Sequence, residues 1–524
     1  MHKRYSPSLA KQLWDVVLVG SGIGSLASAS ILAKEGWKVL VLERHYEAGG
    51  FCHTFKRKGF EWDVGVHYVG AVHRETSMER RVFDYVSNRR LQWASMGSPY
   101  DVAIIDGKRY EFVPGAEEQI KKWISYFPAE EKAIRAYWKK VKEACKARQL
   151  YFAEKAAPGL VASLLGGYLR RGFEHYASKT VYEVLRELTD NEALITLLCA
   201  QCGDYGLPPR EASFGIHALV VNHYRDGGSY PIGGAGRIAE SIVETIEEHE
   251  GEVAVRCPVQ HVRVENGAVS GVQLENGAFI EAPVVVSGTG VRNTLLHLLP
   301  PEDRESFGVD EALHAIKPST GHLCLYVGLK GSNSELGLPK YNYWCYDPYV
   351  GDGNPGGRLP SAYISFPSAK DPVWSRTHKG ISTVQLIGLG RYEDFAAFAH
   401  SKWNHRPEGY NVIKQRFEQE MLERLYAMHP KTEGRVAWTE VSTPLSTAHF
   451  ANYGHGEIYG LEHSPARFAQ DWLKPRTPIK GLYLTGQDIC TAGVCGALFS
   501  GVLTTSAILG RNMISRIQKS PVSF

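Results

Sequence analysis

The sequence predicts an α/β protein, α+β overall, built on a discontinuous Rossmann-like domain into which a mixed-sheet and helical domain is inserted. Three stretches predict it. "DVVLVGSGIGSLASASILAKEGWKVLVLE" reads as an apolar strand, a glycine turn, a helix and a second apolar strand. "GGAGRIAESIVETIEEHEGEVAVRCPVQHVRVENGAVSGVQLENGAFIEAPVVVSGTG" reads as a long helix, then strands and hairpin turns closing on another apolar strand. "IKGLYLTGQDICTAGVCGALFSGVLTTSAIL" supplies one more strand, a glycine-rich turn and a long helix of small residues. These pieces lie at the start, centre and end of 524 residues, a length too great for one ordinary core.

The first turn nearly spells G-x-G-x-x-G. Gly20 and Gly22 are in place, Ser25 stands where the third glycine belongs, and Gly24 comes one step early. Gly20 makes the tight turn and Gly22 lets the backbone approach a diphosphate. The helix beginning behind them turns free N–H groups and its positive dipole end to that anion. Glu43 ends the second strand, where a carboxylate accepts ribose hydroxyls and repels a 2′-phosphate. That disfavours NADP and leaves NAD and FAD. Gly49-Gly50, in "ERHYEAGGFCHTF", allows a second close approach to a diphosphate.

The C-terminal stretch decides between the two. Gly486-x-Asp488 offers a carboxylate for a ribityl hydroxyl, and a helix starting around Gly493–Ala497 aims its dipole at the electron-rich edge of a flavin. An NAD dehydrogenase needs no second nucleotide-facing helix at the end of the chain. The predicted cofactor is therefore FAD, extended between the two ends of the sequence. "GGAG" at 233–236 and "GTG" at 288–290 open no complete strand–loop–helix unit, so no dedicated nicotinamide domain is visible. The electron donor or acceptor is left open: NAD(P)H at the flavin face, a partner reductase, a quinone or oxygen.

With "VLVGSGIGSLASASILAKEG", "GFEWDVGVHYVG", "SFGIHALVVNHYRDGGSYPIGG", "SFPSAKDPVW" and "LYLTGQDICTAGVCGAL", the chain resembles the phytoene desaturase-type flavoproteins of the amine-oxidase superfamily over nearly its whole length. Within them it is most similar to the polyene-saturating branch. The resemblance implies that Gly20, Gly22, Ile23, Gly24, Ser25, Glu43, Arg44, Gly49 and Gly50 hold the ADP half of FAD. It also implies that the Val259 backbone meets adenine, and that Gly486, Asp488, Gly493 and Val494 border the ribityl chain and isoalloxazine. Two departures stand out: Ser25 replaces a glycine, and "GGFC" lacks the arginine that many amine oxidases carry after their glycine pair. Such proteins assemble the FAD domain from separated segments, here 1–75, 226–295 and 476–524, with 76–225 and 296–475 as the substrate part.

The implied activity is an FAD-dependent oxidoreduction of a carbon–carbon bond in a long hydrophobic lipid, a saturase-like reduction of a C=C bond in a polyene or other unsaturated lipid. Alternatives are desaturation of a methyl-branched acyl chain or carotenoid precursor, redox-neutral carotenoid isomerisation, and lipid carriage without chemistry. Adding hydrogen across C=C takes a hydride on one carbon and a proton on its neighbour, so a histidine or tyrosine beside the ring is the expected proton carrier. His67, His223 and Tyr224 are the candidates, ahead of Tyr230, His217 and His322; for each, a hydrogen-bonded core role competes. Cys199-x-x-Cys202 lies in an apolar helical stretch and reads as buried packing rather than a redox pair.

The formal net charge of +3 gives no nucleic-acid signal. An odd nine cysteines without a regular framework suit a reducing compartment. No window is long and apolar enough to span a bilayer. Residues 132–171 stand apart: Lys132, Arg135, Lys139, Lys140, Lys142, Lys146, Arg148, Lys155, Arg170 and Arg171 face only Glu143 and Glu154, around the apolar "PGLVASLLGGYL". Apolar residues dipping between headgroups, with cations at the surface, predict peripheral membrane contact through this segment. The expected location is cytoplasmic and membrane-associated, with a long-chain lipid as partner and no nucleic acid.

Overall fold

A computed structural model describes residues 3–157, 159–346 and 361–520, without the side chains of 3 and 159–163. Among the described residues, six strands form one parallel sheet in the order Lys3–Arg4, Glu252–Val255, Val39–Glu43, Val16–Val19, Val285–Ser287, Leu482–Leu484. Parallel strands covered on both faces read as unbroken apolar runs. That is why "VVLV" and "VLVLE" are buried at every position. The edge strand Lys3–Arg4 went unread in the sequence, because two residues carry no periodicity.

Helix Ile23–Lys34 is buried along almost its whole circumference. It packs between helices Gly236–Glu248 and Gly493–Leu509, which explains a sequence apolar on all sides. Small residues set the approach to the C-terminal helix. A Cβ on Gly501 would fall 2.5 Å from the Gly24 carbonyl oxygen, and Ser28 Oγ donates to the Gly24 and Gly501 carbonyls at 3.0 and 3.2 Å. Gly24 in turn leaves no room for a side chain, since its Cβ would lie 2.9 Å from Gly486 N. The two ends of the chain are thus pressed together directly behind the glycine turn.

The second large sheet has seven strands among the described residues, in the order Val436–Ser442, Gly321–Lys330, Ile381–Gly390, Ala362–Ser365, Asn342–Tyr346, Asp101–Ile105, Lys108–Phe112. It is antiparallel except where Asn342–Tyr346 runs parallel to Asp101–Ile105. Its last two strands are the "VAIIDGKRYEFV" hairpin, turning at Asp106-Gly107 with both residues at positive φ. A helical layer, with Ala116–Tyr126, Glu131–Ala156, Gly159–Ala177 and Phe214–His223, packs beside that hairpin around one aromatic-rich core.

Cys199 and Cys202 belong to this core as buried thiols, and burial pushes Cys202 up to about 12. His217 lies there too, its ring nitrogens 2.8 and 3.2 Å from the Tyr137 and Tyr205 hydroxyls.

Candidate active site

Between the two sheets lies a cavity of about 480 Å³. One end is walled by the first glycine turn. Gly20, at φ +87°, donates its N–H to Leu42 O at 2.8 Å and sends the chain into the helix. Ser21 ties three pieces together: its N–H and hydroxyl donate to Glu43 Oε2 at 2.9 and 2.7 Å, and its Oγ accepts from Gly49 N at 3.0 Å. Glu43 Oε1 accepts from His45 N at 2.7 Å, so the carboxylate is held at the cavity wall. Gly22 caps the helix without a side-chain bond, and a Cβ there would meet nothing within 4 Å. Val259 lines the same end.

Ser25 keeps the packing that a third glycine usually provides because its neighbour gave way instead. The facing residue is Gly288, whose Cβ would fall 2.0 Å from Ser25 Oγ. The serine hydroxyl is buried and finds no hydrogen-bond partner among the described residues.

At the other end the turn before helix Gly493–Leu509 is fixed from beneath. Buried Arg467 donates to the Leu461, Gln487 and Asp488 carbonyls at 3.0, 2.7 and 3.1 Å, and His463 Nε2 accepts from Ala492 N at 2.8 Å. The helix starts with no capping side chain, and a Cβ on Gly493 would point into open space. Its free N–H groups therefore face the cavity that Gly486, Gly493 and Val494 line.

Asp488 does not reach this cavity. Its two oxygens accept from Val291 N and Leu461 N, each at 2.8 Å, and Gly460 packs against the carboxylate. It braces the backbone around the site, which corrects the expectation of a ribityl partner. Every other sequence-predicted cofactor residue lines the cavity: Gly20, Gly22, Ile23, Gly24, Ser25, Glu43, Arg44, Gly49, Gly50, Val259, Gly486, Gly493 and Val494.

The middle of the cavity is aromatic, with Trp344, Tyr363, Tyr453 and Tyr459 in its wall. His67 projects among them, 5.4 Å from the Tyr363 ring, and its buried Nδ1 has no partner among the described residues. Burial first, then the Lys370 cation, push its pKa down to about 3, so the ring is neutral at physiological pH. His322, down to about 4 by burial, also lines the wall.

The other two catalytic candidates do not line the cavity. His223 Nε2 accepts from Gly70 N at 2.8 Å, a backbone brace between strand and helix. Tyr224 is buried behind the wall, stacked on Tyr68 with ring centroids 4.3 Å apart. Tyr230 is likewise spent, donating to Asp63 at 2.6 Å. "NHYRDGGSY" builds the back of the site rather than its face.

Sequence reading missed the polar layer beneath the wall. Lys370, from "SFPSAKDPVW", is 1% exposed; its Nζ donates to His67 O at 2.9 Å, Ser365 Oγ at 2.7 Å and Asn342 Oδ1. Burial pushes Lys370 down to about 7, and Asp63 and Asp101 up to about 6. Asp204, which follows the apolar "ALITLLCAQCG", lines the cavity and meets the Tyr68 hydroxyl at 3.1 Å. The available signal was a carboxylate closing an apolar run between Gly203 and Gly206.

Open glycines, a carboxylate at one end and an uncapped helix start at the other fit FAD laid along the cavity. The match to flavoproteins is independent of this geometry. Residues 26–509 match the family model described as flavin containing amine oxidoreductase. Over 525 residues the chain is 36% identical to all-trans-retinol 13,14-reductase of Danio rerio, covering 95% of this chain and 86% of that one. To the Homo sapiens protein of the same name it is 34% identical, covering 99% and 89%. Among solved structures it resembles putrescine oxidase bound to putrescine, with a TM-score of 0.62, 15% identity, and 95% and 100% of the two chains covered. That last likeness speaks to fold alone. The chain belongs to the flavin containing amine oxidoreductase family, and its cofactor is FAD.

Proposed function

We propose that this chain reduces a C=C bond of a long polyene lipid, with all-trans-retinol, the compound in its relatives' names, as the substrate to try first. One observation carries the reading: the cavity that begins at the glycine turn runs on, without a partition, into an aromatic pocket between the two sheets. A cofactor and an apolar chain share that space. When bound, FAD supplies the hydride and takes up electrons from the donor.

The chain does the rest. Ser21 and His45 set the Glu43 carboxylate for ribose hydroxyls, Gly22 leaves room for the diphosphate, and the helix starting at Gly493 turns its N–H groups toward the ring. The segments 1–75, 226–295 and 476–524 form the cofactor part in this reading, and 76–225 with 296–475 the substrate part; the membership of the two large sheets supports that division. Neutral His67 offers a hydrogen bond to whatever polar edge lies over it, and Tyr363, Trp344 and Tyr459 exclude water and hold the polyene flat.

Anaerobic incubation of the holoenzyme with all-trans-retinol and a chemical reductant tests the reading. The expected product is retinol heavier by one hydrogen pair. Unchanged retinol, or double-bond isomers alone, overturns it.

Access to a bilayer lipid is part of the same proposal. Leu164, Leu165 and Tyr168 of helix Gly159–Ala177 are exposed, as is Leu150 on the neighbouring helix, with Lys146 and Arg171 exposed nearby. Not all the cations of 132–171 contribute: Lys155 is buried on Leu473 O, and Arg170 pairs with Glu154 and Glu174. Among the described residues no single helix is long and apolar enough to cross a membrane; one bent pair, Gly493–Leu509 with Met513–Lys519, matches by length and composition, and its first helix is mostly buried in the core. Vesicle flotation is expected to recover the protein with anionic vesicles. Leu164→Glu with Tyr168→Glu is expected to lower recovery about tenfold, since two apolar contacts are each replaced by an anion. Equal flotation of the double variant contradicts this docking face.

A further inference from the structure

We infer that Asp204 is the acid of this cavity: it carries a proton, faces the substrate, and delivers that proton to the carbon beside the one that receives hydride. This rests on the C=C reduction proposed above. The neutral His67 is a poor acid, His223 and Tyr224 face away, and burial holds the Tyr363, Tyr453 and Tyr459 phenols above their usual range, so the stronger acid of the aromatic wall is the carboxyl of Asp204.

The geometry around Tyr68 assigns the proton. Its hydroxyl lies 2.8 Å from Asp101 Oδ2 and 3.1 Å from Asp204 Oδ2. A tyrosine has one proton to donate. Asp101 is surrounded by groups that only donate to it: Trp344 Nε1 at 3.1 Å, Gln201 Nε2 at 2.9 Å, and Asn342 Nδ2 at 2.8 Å. The Asn342 orientation is fixed because its Oδ1 accepts a hydrogen bond from Lys370 Nζ. Four donors thus converge on Asp101, three on Oδ2 and one on Oδ1, which favours its ionised form, and the Tyr68 proton goes to it. The remaining contact, between Tyr68 and Asp204, needs the proton on Asp204, which donates to the phenol oxygen. Asp101 is the ionised partner and Asp204 the neutral one.

The surroundings favour the same assignment. Burial pushes Asp204 well above the usual carboxylate range, and the Asp101 charge adds to it. The phenols of Tyr68, Tyr363 and Tyr459 face it, while the Lys370 cation acts on Asp101 and Asp63. Two carboxylates sharing a site with one cation behind the first separate into one acid and one anion.

The step balances. The hydride from reduced FAD forms a C–H bond at one alkene carbon as the π bond breaks. The electron pair released on the neighbouring carbon takes the Asp204 proton, and the O–H bond breaks. Asp204 is left as a carboxylate and regains its proton from water when product leaves. Tyr68 and Asp101 touch neither substrate nor cofactor in this scheme; they are positioning residues.

Two measurements on the holoenzyme test the assignment. The infrared spectrum is expected to hold a carboxylic-acid C=O band, shifted in D2O, that Asp204→Asn removes; absence of such a band overturns the inference. In anaerobic single turnover, chemically reduced Asp204→Asn is expected to be reoxidised by retinol at least about 100-fold more slowly than wild type, the range for a lost general acid. Flavin content should stay unchanged, and Asp204→Glu should recover part of the rate. An Asp204→Asn variant as fast as an active wild type overturns the Asp204 assignment alone. A wild type inert toward polyenes removes the reduction, and the proton delivery with it, whether or not the band is present.

Discussion

Gly22→Val yields a folded protein without flavin colour. The position has extended backbone angles that any L-residue adopts, φ −58° and ψ 160°, and a Cβ there meets no protein atom within 4 Å. Valine thus fits the apoprotein without strain, and its thermal midpoint should match that of wild-type apoprotein. What the side chain fills is the space in which a diphosphate approaches the loop. Losing that approach and the N–H contacts behind it costs several kcal/mol, so the flavin dissociation constant should rise at least about 100-fold. Flavin released on denaturation, per mole of protein, reads the outcome. The same substitution at Gly24 should behave oppositely and impair folding, because its Cβ meets Gly486 backbone at 2.9 Å.

Lys370→Met destabilises the holoprotein by about 3 kcal/mol near pH 8, where the amine is mostly neutral, because three buried acceptors lose their donor. Those acceptors are the His67 carbonyl, Asn342 Oδ1 and Ser365 Oγ. The pH dependence separates this from a packing defect. Lys370 has its folded-state pKa depressed from 10.5 to about 7. Its stabilising contribution is therefore complete above the unfolded value and is lost as pH falls through the folded one. The gap between wild type and Lys370→Met should widen by up to about 1.4 kcal/mol per pH unit from 7 toward 10. Asp63 and Asp101 work in another window: raised to about 6, they contribute stability at low pH that is lost as pH climbs through 6. Urea midpoints at pH 7 and 9 measure the difference; equal gaps at the two pH values contradict a buried, titrating ammonium.

How much of this was legible follows from the range over which each signal acts. Glycine turns and apolar strands are local, so the residues that wall the cavity were legible from Gly20 to Gly50 at one end and as Gly486, Gly493 and Val494 at the other. Asp488 misled because its chemistry was right and its direction was not: which way a carboxylate points is set by Val291 and Leu461, both far away in sequence. The same holds for His223 and Tyr224, assigned to the ring by position but turned toward Gly70 and Tyr68. Lys370, Asp101 and Asp204 were invisible as a set. They come from a short helix after one strand, the start of another strand and a turn after a helix, and only the second sheet and its helical layer bring them together. Ser25 is the converse case, an apparent defect in the loop that the glycine at position 288 makes good.

The direction of electron flow is read by anaerobic mixing of chemically reduced holoenzyme with all-trans-retinol, followed by flavin absorption. The yellow of oxidised flavin is expected to return as retinol is consumed, with no other oxidant present. Flavin that stays bleached with retinol, while oxidised holoenzyme bleaches on addition of a saturated lipid, would contradict it.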